Sequence, residues 1–156
     1  SGIGFDVHPL VEGRLLVLGG VTVPFEKGLA GHSDGDVLIH AIIDALLGAA
    51  GLDDIGTRFP SNDERYKGVA STKLLSETLG ILASHRWHVN FVDATILAER
   101  PILRPFMGQI KQTLSAALGL DAGSVNIKAT TTDGLGFVGR GEGIASMAIA
   151  TIEQAE

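Results

Sequence analysis

The longest apolar pattern in the chain runs from Gly31 to Gly51, where apolar residues cover nearly the whole circumference of a predicted helix. A helix that is apolar all round is buried rather than half exposed. Asp36, His40 and Asp44 recur every four residues within it and therefore share one face. Because a buried carboxylate or imidazole is costly without a partner, this face predicts a polar site inside the core.

The residues around this helix suggest how it begins and what its polar face does. Ser33 or Asp34 is expected to cap the first free N–H groups. Asp36 and Asp44 are expected to orient His40 if His40 binds a ligand. The alternative for Asp36 is an ordinary negative charge in the first turn of the helix.

The rest of the pattern alternates strands with helices. The predicted strands are Ile3–His8, Leu15–Leu18, Val21–Val23, Val89–Ala98, Val125–Thr131 and Ile144–Ile152, and the further helices are Ser71–His85, with Ser71 as its cap, and Leu103–Leu118. Gly19-Gly20 is a hairpin turn, residues 26–30 lead into the central helix, and the polar stretch 52–68 is long enough to be a functional loop. This order predicts one α/β domain over residues 1–156, with a mostly central sheet.

Composition narrows the classes of partner. The chain is 45% hydrophobic but only 5% aromatic, with a mean hydropathy of +0.28, so a buried subunit interface is expected. Its formal charge of −6 argues against nucleic-acid binding. The same charge means that local cationic side chains or metal ions must neutralise any phosphorylated ligand. No membrane span is expected, because His40 and Asp44 interrupt the best apolar run.

The absence of cysteine excludes disulfides and thiol catalysis and is compatible with the cytoplasm. The first residues carry no signal-peptide pattern. Ser1 in place of Met suggests trimming, so a lost targeting segment stays open.

Asp6, His8 and His40 are the candidate metal ligands. In a strand of period two, Asp6 and His8 point to the same face, and the central helix adds His40. One carboxylate and two imidazoles suit zinc with an open fourth position, which is typical of catalytic sites. A histidine that is merely hydrogen-bonded to a carboxylate is the equally open alternative.

Two further motifs have a chemical and a structural interpretation. His32-Ser33 precedes a helix N-terminus, where free N–H groups favour a phosphate, but capping alone explains the pair as well. Thr130–Asp133 follows a strand and could bind phosphate and a hard divalent ion, or be a strand end with a turn. Arg140 and Glu142 share a face, which favours a salt bridge.

Three segments, FDVH, GHSDGDVLIHAIIDALLGAAGLDDIGTRFP and IKATTTDGLGFVGRGEGIA, together resemble the 2-C-methyl-D-erythritol 2,4-cyclodiphosphate synthases of the non-mevalonate isoprenoid pathway. The resemblance runs from end to end in the same order. It implies a homotrimer with active sites between neighbouring subunits. It also implies a four-stranded mixed sheet in each subunit, with helices on one face, the sheets being packed around the threefold axis.

The resemblance also implies roles for particular residues. The zinc ligands of the family correspond to Asp6, His8 and His40. The residues that contact the substrate's phosphate end correspond to Asp6, His8, His32 and Ser33, and the loop that holds methylerythritol corresponds to Asp54, Ile55, Gly56, Phe59 and Asp63. The cytidine diphosphate pocket of the adjacent subunit corresponds to Ala98, Arg100, Pro101, Leu103, Arg104, Thr130, Thr131, Thr132 and Asp133. His32, Thr131 and Asp133 are the implied catalytic residues, with Mg²⁺ or Mn²⁺ shared between Asp133 and the substrate phosphates. Phe137 and Arg140 correspond to the end of the site and to a central cavity that can hold an isoprenoid diphosphate.

The chain departs from the family pattern at three places. Ser61 stands where an Asp is frequent, Ile102 where a Lys is common, and Asp133-Gly134 where Glu-Lys is frequent. Asp is one methylene shorter than Glu, so the second metal ion could be held through water. Arg100 or Arg104 could replace the charge of the missing Lys.

The implied reaction is metal-assisted. The 2-phosphate of 4-diphosphocytidyl-2-C-methyl-D-erythritol 2-phosphate attacks the β-phosphorus, closes the cyclic diphosphate and expels CMP. The alternatives are a zinc-dependent phosphoester hydrolase and a non-enzymatic trimer that binds isoprenoid diphosphates. The expected location is the cytoplasm of a bacterium, or a plastid if a transit peptide was removed.

Overall fold

A mixed five-stranded sheet with the strand order β4-β1-β7-β5-β6 carries the fold. In the computed structural model, which describes residues 1–156, these strands are β1 Gly2–Glu12, β4 Lys27–Leu29, β5 Trp87–Leu97, β6 Val125–Thr130 and β7 Gly143–Gln154. Strands β5 and β6 are parallel, and the other neighbours are antiparallel. The four long strands confirm the expected mixed sheet. The short β4 was not predicted, and it lies in the stretch expected only to lead into the helix.

A separate hairpin joins β2 Leu16–Leu18 to β3 Val21–Val23 through Gly19-Gly20, as predicted. Both glycines have a positive φ, which such a turn requires. The helices are α1 Val37–Ala50, α2 Ile55–Arg58, α3 Ser71–Ser84, α4 Met107–Leu118 and α5 Gly136–Gly139. The three long helices were predicted. Helix α2 is a single turn within the stretch predicted as a functional loop, and α5 is a single turn that was not predicted. No helix combines the length and the apolarity that a bilayer crossing requires.

The long helices cover one face of the sheet. Helix α1 lies so close to β1 that a Cβ atom on Gly4 would be 1.8 Å from the carbonyl oxygen of Ala41, and one on Gly2 would be 2.2 Å from that of Ala45. Only glycine allows this approach. The opposite face is open, and its exposed large hydrophobic residues are Ile3, Phe5, Val7, Phe91, Met147 and Ile149. The ion pair between Asp93 and Lys128 lies on the same face.

Asp36, rather than Ser33 or Asp34, caps α1. Its Oδ1 accepts hydrogen bonds from the N–H groups of Ile39 (3.1 Å) and Gly19 (3.0 Å), and its Oδ2 accepts one from Gly20 (2.8 Å). Complete burial raises the pKa of Asp36 to about 6, although the three N–H donors oppose that shift. The carboxylate therefore fastens the β2–β3 turn to the first turn of the central helix.

Ser71 is the first residue of α3 and does not cap it, contrary to the sequence-based expectation. The N–H group of Ser71 donates to Oδ2 of Asp34 at 3.0 Å. A carboxylate 37 residues earlier in the chain therefore satisfies this free N–H group at the start of α3.

We expect Asp36→Asn to lower the free energy of unfolding by about 1–3 kcal/mol, because an amide cannot accept at both of its ends and leaves a buried N–H group unpaired. Urea denaturation at pH 8, where Asp36 is ionised, measures the change. Asp121→Asn is the matched control, because Asp121 is exposed and makes no capping hydrogen bond. Equal stability of the Asp36 and Asp121 variants would contradict the fastening role.

Candidate metal centre and neighbouring pockets

Three ligand atoms converge where α1 crosses β1. Asp6 and His8 lie on the helix-covered face of β1, and His40 comes from the first turn of α1. Asp6 Oδ2 lies 2.8 Å from His8 Nε2 and 3.0 Å from His40 Nδ1, and the two ring nitrogens are 3.2 Å apart. The three residues predicted as metal ligands therefore form one compact triangle.

The triangle fits a small divalent metal ion. Tetrahedral zinc with bonds of about 2.0–2.2 Å separates its ligand atoms by about 3.3–3.6 Å, and the three observed distances lie within about 0.5 Å of that range. One carboxylate and two imidazoles leave a fourth position for water or substrate. Asp6, His8 and His40 can therefore hold a metal ion, as expected.

Hydrogen bonds on the far side of each ring fix which nitrogen faces the triangle. Nδ1 of His8 donates to the carbonyl oxygen of Ala30 at 2.7 Å, which leaves Nε2 free as a ligand atom. Nε2 of His40 lies 2.9 Å from Ser71 Oγ and 3.1 Å from Ser33 Oγ, which leaves Nδ1 free. Each imidazole can therefore bind a metal ion in its neutral form.

The prediction that Asp36 and Asp44 orient His40 is wrong. Asp36 caps the helix, and Asp44 Oδ1 accepts a hydrogen bond from the N–H group of Ile55 at 2.9 Å. Asp44 therefore anchors the start of α2, which follows the central helix. The four-residue spacing placed both carboxylates correctly along α1, but each has a backbone partner instead of the imidazole.

Mutual pairing shifts the pKa values of Asp6 and His8 in opposite directions. Burial disfavours the charged form of Asp6, but hydrogen bonds from His40 and His8 outweigh it and lower the pKa of Asp6 to about 2. Burial also disfavours the charged form of His8, and its hydrogen bond and ion pair with Asp6 raise its pKa above the ordinary 6.5. Protons and a metal ion therefore compete for the same atoms.

The triangle opens into a cavity of about 500 Å³, which we call the histidine pocket. Its lining comprises Asp6, His8, His32, Ser33, His40, Ile55, Gly56, Phe59, Pro60, Ser61, Asn62, Tyr66 and Leu74. Eight of these residues were predicted for the site. Ser61, which departs from the family pattern, is among the others.

Two carboxylates predicted for this region do not line the pocket. Asp54 caps α2 through the N–H group of Thr57, and hydrogen bonds with Thr57 lower its pKa. Asp63 pairs with Arg65 at 2.7 Å, which lowers the pKa of Asp63. The backbone carbonyl of Asp63 accepts a hydrogen bond from His32 Nε2 at 2.8 Å, so this loop orients the ring of His32.

A second cavity, of about 530 Å³, lies at the ends of β5 and β6, and we call it the threonine pocket. It is lined by Ala98, Glu99, Pro101, Ile102, Leu103, Arg104, Met107, Ile127, Lys128, Ala129, Thr130 and Thr131. Six of these residues were predicted for the nucleotide pocket. Thr132 and Asp133 do not line it but adjoin it, because the Thr132 N–H group donates to Glu99 at 3.3 Å and the Asp133 N–H group to Thr131 Oγ1 at 3.3 Å.

Arg100, predicted for the nucleotide pocket, lies instead beside a third cavity of about 210 Å³ that it shares with Arg140. The Arg100 guanidinium lies 5.7 Å from the ring centre of Phe25. Arg140 pairs with Glu142 at 3.2 Å, as predicted, and Phe137 is exposed.

The sequence-based prediction missed several lining residues, among them Glu99, Tyr66 and Lys128. Tyr66 contacts Phe59 edge-on at 5.4 Å between ring centres, within the polar stretch already suspected of function. Glu99 lies two residues after the end of β5, in a position where functional side chains often follow a strand. Lys128 lies within a strand, where it pairs with Asp93 at 2.9 Å. Nothing in its local sequence indicated that it would line a pocket.

Comparison with known proteins gives the same family from sequence and from structure. The family model described as the YgbB family matches residues 1–153. A 2-C-methyl-D-erythritol 2,4-cyclodiphosphate synthase of Desulforamulus reducens is 57% identical over 153 residues, which is 98% of this chain and 98% of that protein.

Two solved structures are similar over nearly the whole chain. The bifunctional IspDF of Campylobacter jejuni superposes with a TM-score of 0.95 at 39% identity over 99% of this chain, which spans 42% of that longer one. A 2C-methyl-D-erythritol-2,4-cyclodiphosphate synthase in its CDP-bound form gives a TM-score of 0.90 at 32% identity, covering 97% of this chain and 99% of that one.

We expect Asp6→Asn to destabilise the metal-free protein more at pH 5 than at pH 9. The raised pKa of His8 means that its pairing stabilises the fold fully below pH 6.5, and that this contribution is lost as the pH rises through the raised value. The lowered pKa of Asp6 adds stability above pH 3.8, which is lost only as the pH falls towards about 2. At pH 5 both contributions are present.

Urea denaturation with a chelator present, at the two pH values, measures this difference. Glu153→Gln is the control, because it removes a carboxylate–histidine pair of the same 2.8 Å length that is exposed and is expected to matter little. An equal loss at pH 5 and pH 9 in Asp6→Asn would contradict the assigned pairing.

Proposed function

The chain belongs to the YgbB family, and we propose on that basis which of its residues carry out the family's reaction. The protein is a cyclodiphosphate synthase of isoprenoid biosynthesis and a phosphorus–oxygen lyase. It converts 4-diphosphocytidyl-2-C-methyl-D-erythritol 2-phosphate to 2-C-methyl-D-erythritol 2,4-cyclodiphosphate and CMP. The observation that carries our assignment of residues is the triangle of Asp6, His8 and His40 in the wall of the histidine pocket.

The reaction is an internal phosphoryl transfer. An oxygen of the 2-phosphate forms a bond to the β-phosphorus, and the bond from that phosphorus to the oxygen it shares with the cytidylate breaks. The electron pair leaves on that oxygen, as CMP. Because the attacking phosphate is already ionised, no strong protein base is required, and the enzyme acts by folding the substrate and neutralising its charge.

We propose zinc as the metal ion at Asp6, His8 and His40, because two neutral imidazoles and one carboxylate are a characteristic set for catalytic zinc. When bound there, zinc supplies Lewis-acid neutralisation to a phosphate end of the substrate. His32 and Ser33 line the same pocket. The Ser33 hydroxyl would donate a hydrogen bond to a phosphate oxygen. His32, whose Nε2–H group donates to the Asp63 carbonyl, would do so through Nδ1 when both ring nitrogens carry a proton.

Ile55 and Gly56 line the same pocket and would contact the methylerythritol hydroxyls through their backbone. The Asp44 carboxylate supports this role, because it holds the N–H group of Ile55 in place. Asp54 and Asp63 would act mainly by shaping the loop, since each caps a helical turn.

The threonine pocket is our proposed site for the cytidine diphosphate portion. Thr131 would stabilise the charge that develops on the β-phosphate, and Asp133 would share Mg²⁺ or Mn²⁺ with the substrate phosphates. The turn supports this role, because the Asp133 N–H group donates to the hydroxyl oxygen of Thr131, and Thr131 lines the pocket. Glu99 is a second carboxylate beside this turn.

We propose that each active site is shared between two subunits of a homotrimer. No residue lines both the histidine pocket and the threonine pocket, so within one chain the two cavities are separate. The open sheet face also exposes Ile3, Phe5 and Ile149, which a monomer would leave in water. Packing these faces around a threefold axis would bury them and bring a histidine pocket next to a neighbour's threonine pocket.

Two smaller proposals follow from the resemblance. A central cavity lined by Phe137 and Arg140 would bind an isoprenoid diphosphate, with the exposed ring of Phe137 against the chain and Arg140 against the phosphates. The cytoplasm of a bacterium is our proposed location, because the relative from Desulforamulus reducens is bacterial.

Neither alternative function is favoured by the family. A zinc hydrolase would release two open phosphates, and a binding protein would release nothing. Incubating the protein with the cytidyl substrate and Mg²⁺ and identifying the products by mass spectrometry distinguishes the three, since only the synthase gives the cyclic diphosphate together with CMP.

We expect His40→Ala to lose both zinc and CMP release, and Asp133→Asn to lose CMP release while keeping about one zinc per chain, because the two residues serve different metal ions. Asn suits position 133 because Asp133 has a φ of 54°, which Asn tolerates better than Ala. Elemental analysis and the CMP assay give the two readouts. Glu99→Gln is the companion variant: if it abolishes turnover and Asp133→Asn does not, the second metal ion belongs to Glu99.

A mixing experiment tests the shared site. His40→Ala and Asp133→Asn chains, unfolded together in equal amounts and reassembled, should regain about a quarter of wild-type activity, because each half of a shared site comes from an intact chain half of the time. Each variant reassembled alone is the control. Activity that stays at background in trimers shown to be mixed would contradict the shared site.

A further inference from the structure

His40 differs from the other two ligands in how its far side is held. The ring of His8 donates to a backbone carbonyl, which no substitution removes. The ring of His40 is held by side chains, chiefly the hydroxyl of Ser71, which is completely buried at the start of α3. The Ser71 hydroxyl is bonded in turn to the carboxylate of Asp34.

We infer that Asp34 and Ser71 form a hydrogen-bond relay that fixes the tautomer of His40 and so prepares its Nδ1 to bind the metal ion. In this role both are positioning residues, and neither touches the ion. The inference rests on the proposed function, because it concerns the same metal centre.

The direction of the relay follows from the hydrogen-bonding capacities of its members. An ionised carboxylate only accepts hydrogen bonds, so the single hydroxyl proton of Ser71 is directed towards Asp34 Oδ1. The oxygen of Ser71 can then only accept from the ring, and at 2.9 Å the proton of that bond must lie on His40 Nε2. A neutral imidazole with its proton on Nε2 has its lone pair on Nδ1, so a metal ion that displaces the hydrogen bond between Nδ1 and Asp6 finds a ligand atom there.

Asp34 is itself held in place by the backbone. Its Oδ2 accepts the Ser71 N–H group at 3.0 Å, and its Oδ1 accepts the Asp36 N–H group at 3.1 Å. The same carboxylate therefore replaces the missing cap of α3 and receives the serine proton. These bonds hold the start of α3 against the segment before α1. The Ser71 oxygen that accepts from His40 is therefore held in a fixed position.

Ser33 does not replace Ser71 in this role. Its oxygen lies 3.1 Å from His40 Nε2, but it also accepts the Gly35 N–H group at 3.3 Å, and no carboxylate takes its hydroxyl proton. Its proton is therefore free to be donated elsewhere, including back to the ring, and Ser33 alone does not dictate the tautomer.

Two substitutions break the relay at different links. Ser71→Ala removes the acceptor for Nε2–H. Asp34→Asn keeps the shape but presents an amide, which either donates to Ser71 Oγ and lets the hydroxyl turn towards the ring, or loses the bond to the Ser71 N–H group. Ser115→Ala is the matched control, because Ser115 is another buried helical serine, whose hydroxyl bonds only the Lys111 carbonyl.

We expect both relay variants to bind zinc about 10–100-fold more weakly than the wild type, as loss of a partner that orients a ligand does at other metal sites, with Ser115→Ala unchanged. Competition with a chromophoric chelator measures the affinity, and circular dichroism shows which variants are folded. Affinities within threefold of wild type in both folded variants would overturn the relay. A loss in Ser71→Ala alone would also overturn it, since Asp34 would then play no part.

A second measurement reads the tautomer directly. In the metal-free wild type the Asp6 carboxylate competes for a proton on His40 Nδ1 at 3.0 Å, so the measurement uses the Asp6→Ala variant, labelled with ¹⁵N-histidine. The ring nitrogen shifts of His40 at pH 8 should then show the tautomer protonated at Nε2, and adding Asp34→Asn should reduce its population. A ring protonated at Nδ1 in Asp6→Ala would overturn the relay. If the Nε2 tautomer is present but the wild type binds no zinc, the proposed function fails while the relay stands.

Discussion

The closeness of one helix to one strand is the constraint on which the rest of the structure depends. Helix α1 rests on β1 at Gly2 and Gly4, where any side chain would collide with the backbone of the helix. Ala41, the residue met at Gly4, is next to His40, and Gly4 is two residues before Asp6. The contact that closes the core therefore also sets the 3.0 Å between Asp6 Oδ2 and His40 Nδ1. A bulkier strand residue would move the ligands apart as it moved the helix away.

Much of this arrangement could be predicted from local sequence. Period two in β1 placed Asp6 and His8 on one face, and the all-round apolarity of α1 required a buried His40. The sequence-based prediction was wrong about which polar groups meet. It paired His40 with Asp36 and Asp44 because they are neighbours along the helix, but in the fold His40 meets Ser71, 31 residues away. Spacing along one helix reports which face a residue is on, not what another element brings to that face.

The capping residues show the same limit. Ser33, Asp34 and Asp36 all have the chemistry of an N-cap, and the chain alone does not say which of them the helix uses. The structure gives the cap of α1 to Asp36, leaves Asp34 to satisfy α3, and keeps Ser33 in the wall of the histidine pocket. Three adjacent residues of similar type thus have three different partners, because each faces a different element of the tertiary fold.

The two faces of strand β1 have different roles. Gly4, Asp6 and His8 point towards the helix, while Ile3, Phe5 and Val7 form part of the open face. A shift of one residue in the pairing of β1 with β7 would exchange these two sets, burying the hydrophobic residues and exposing the ligands. An insertion or deletion within this strand therefore cannot damage metal binding and spare the surface used for assembly, or the reverse. Metal binding and subunit assembly both depend on the same alternation of side chains along the eleven residues of β1. This strand can therefore vary by substitution but not by a change in its length.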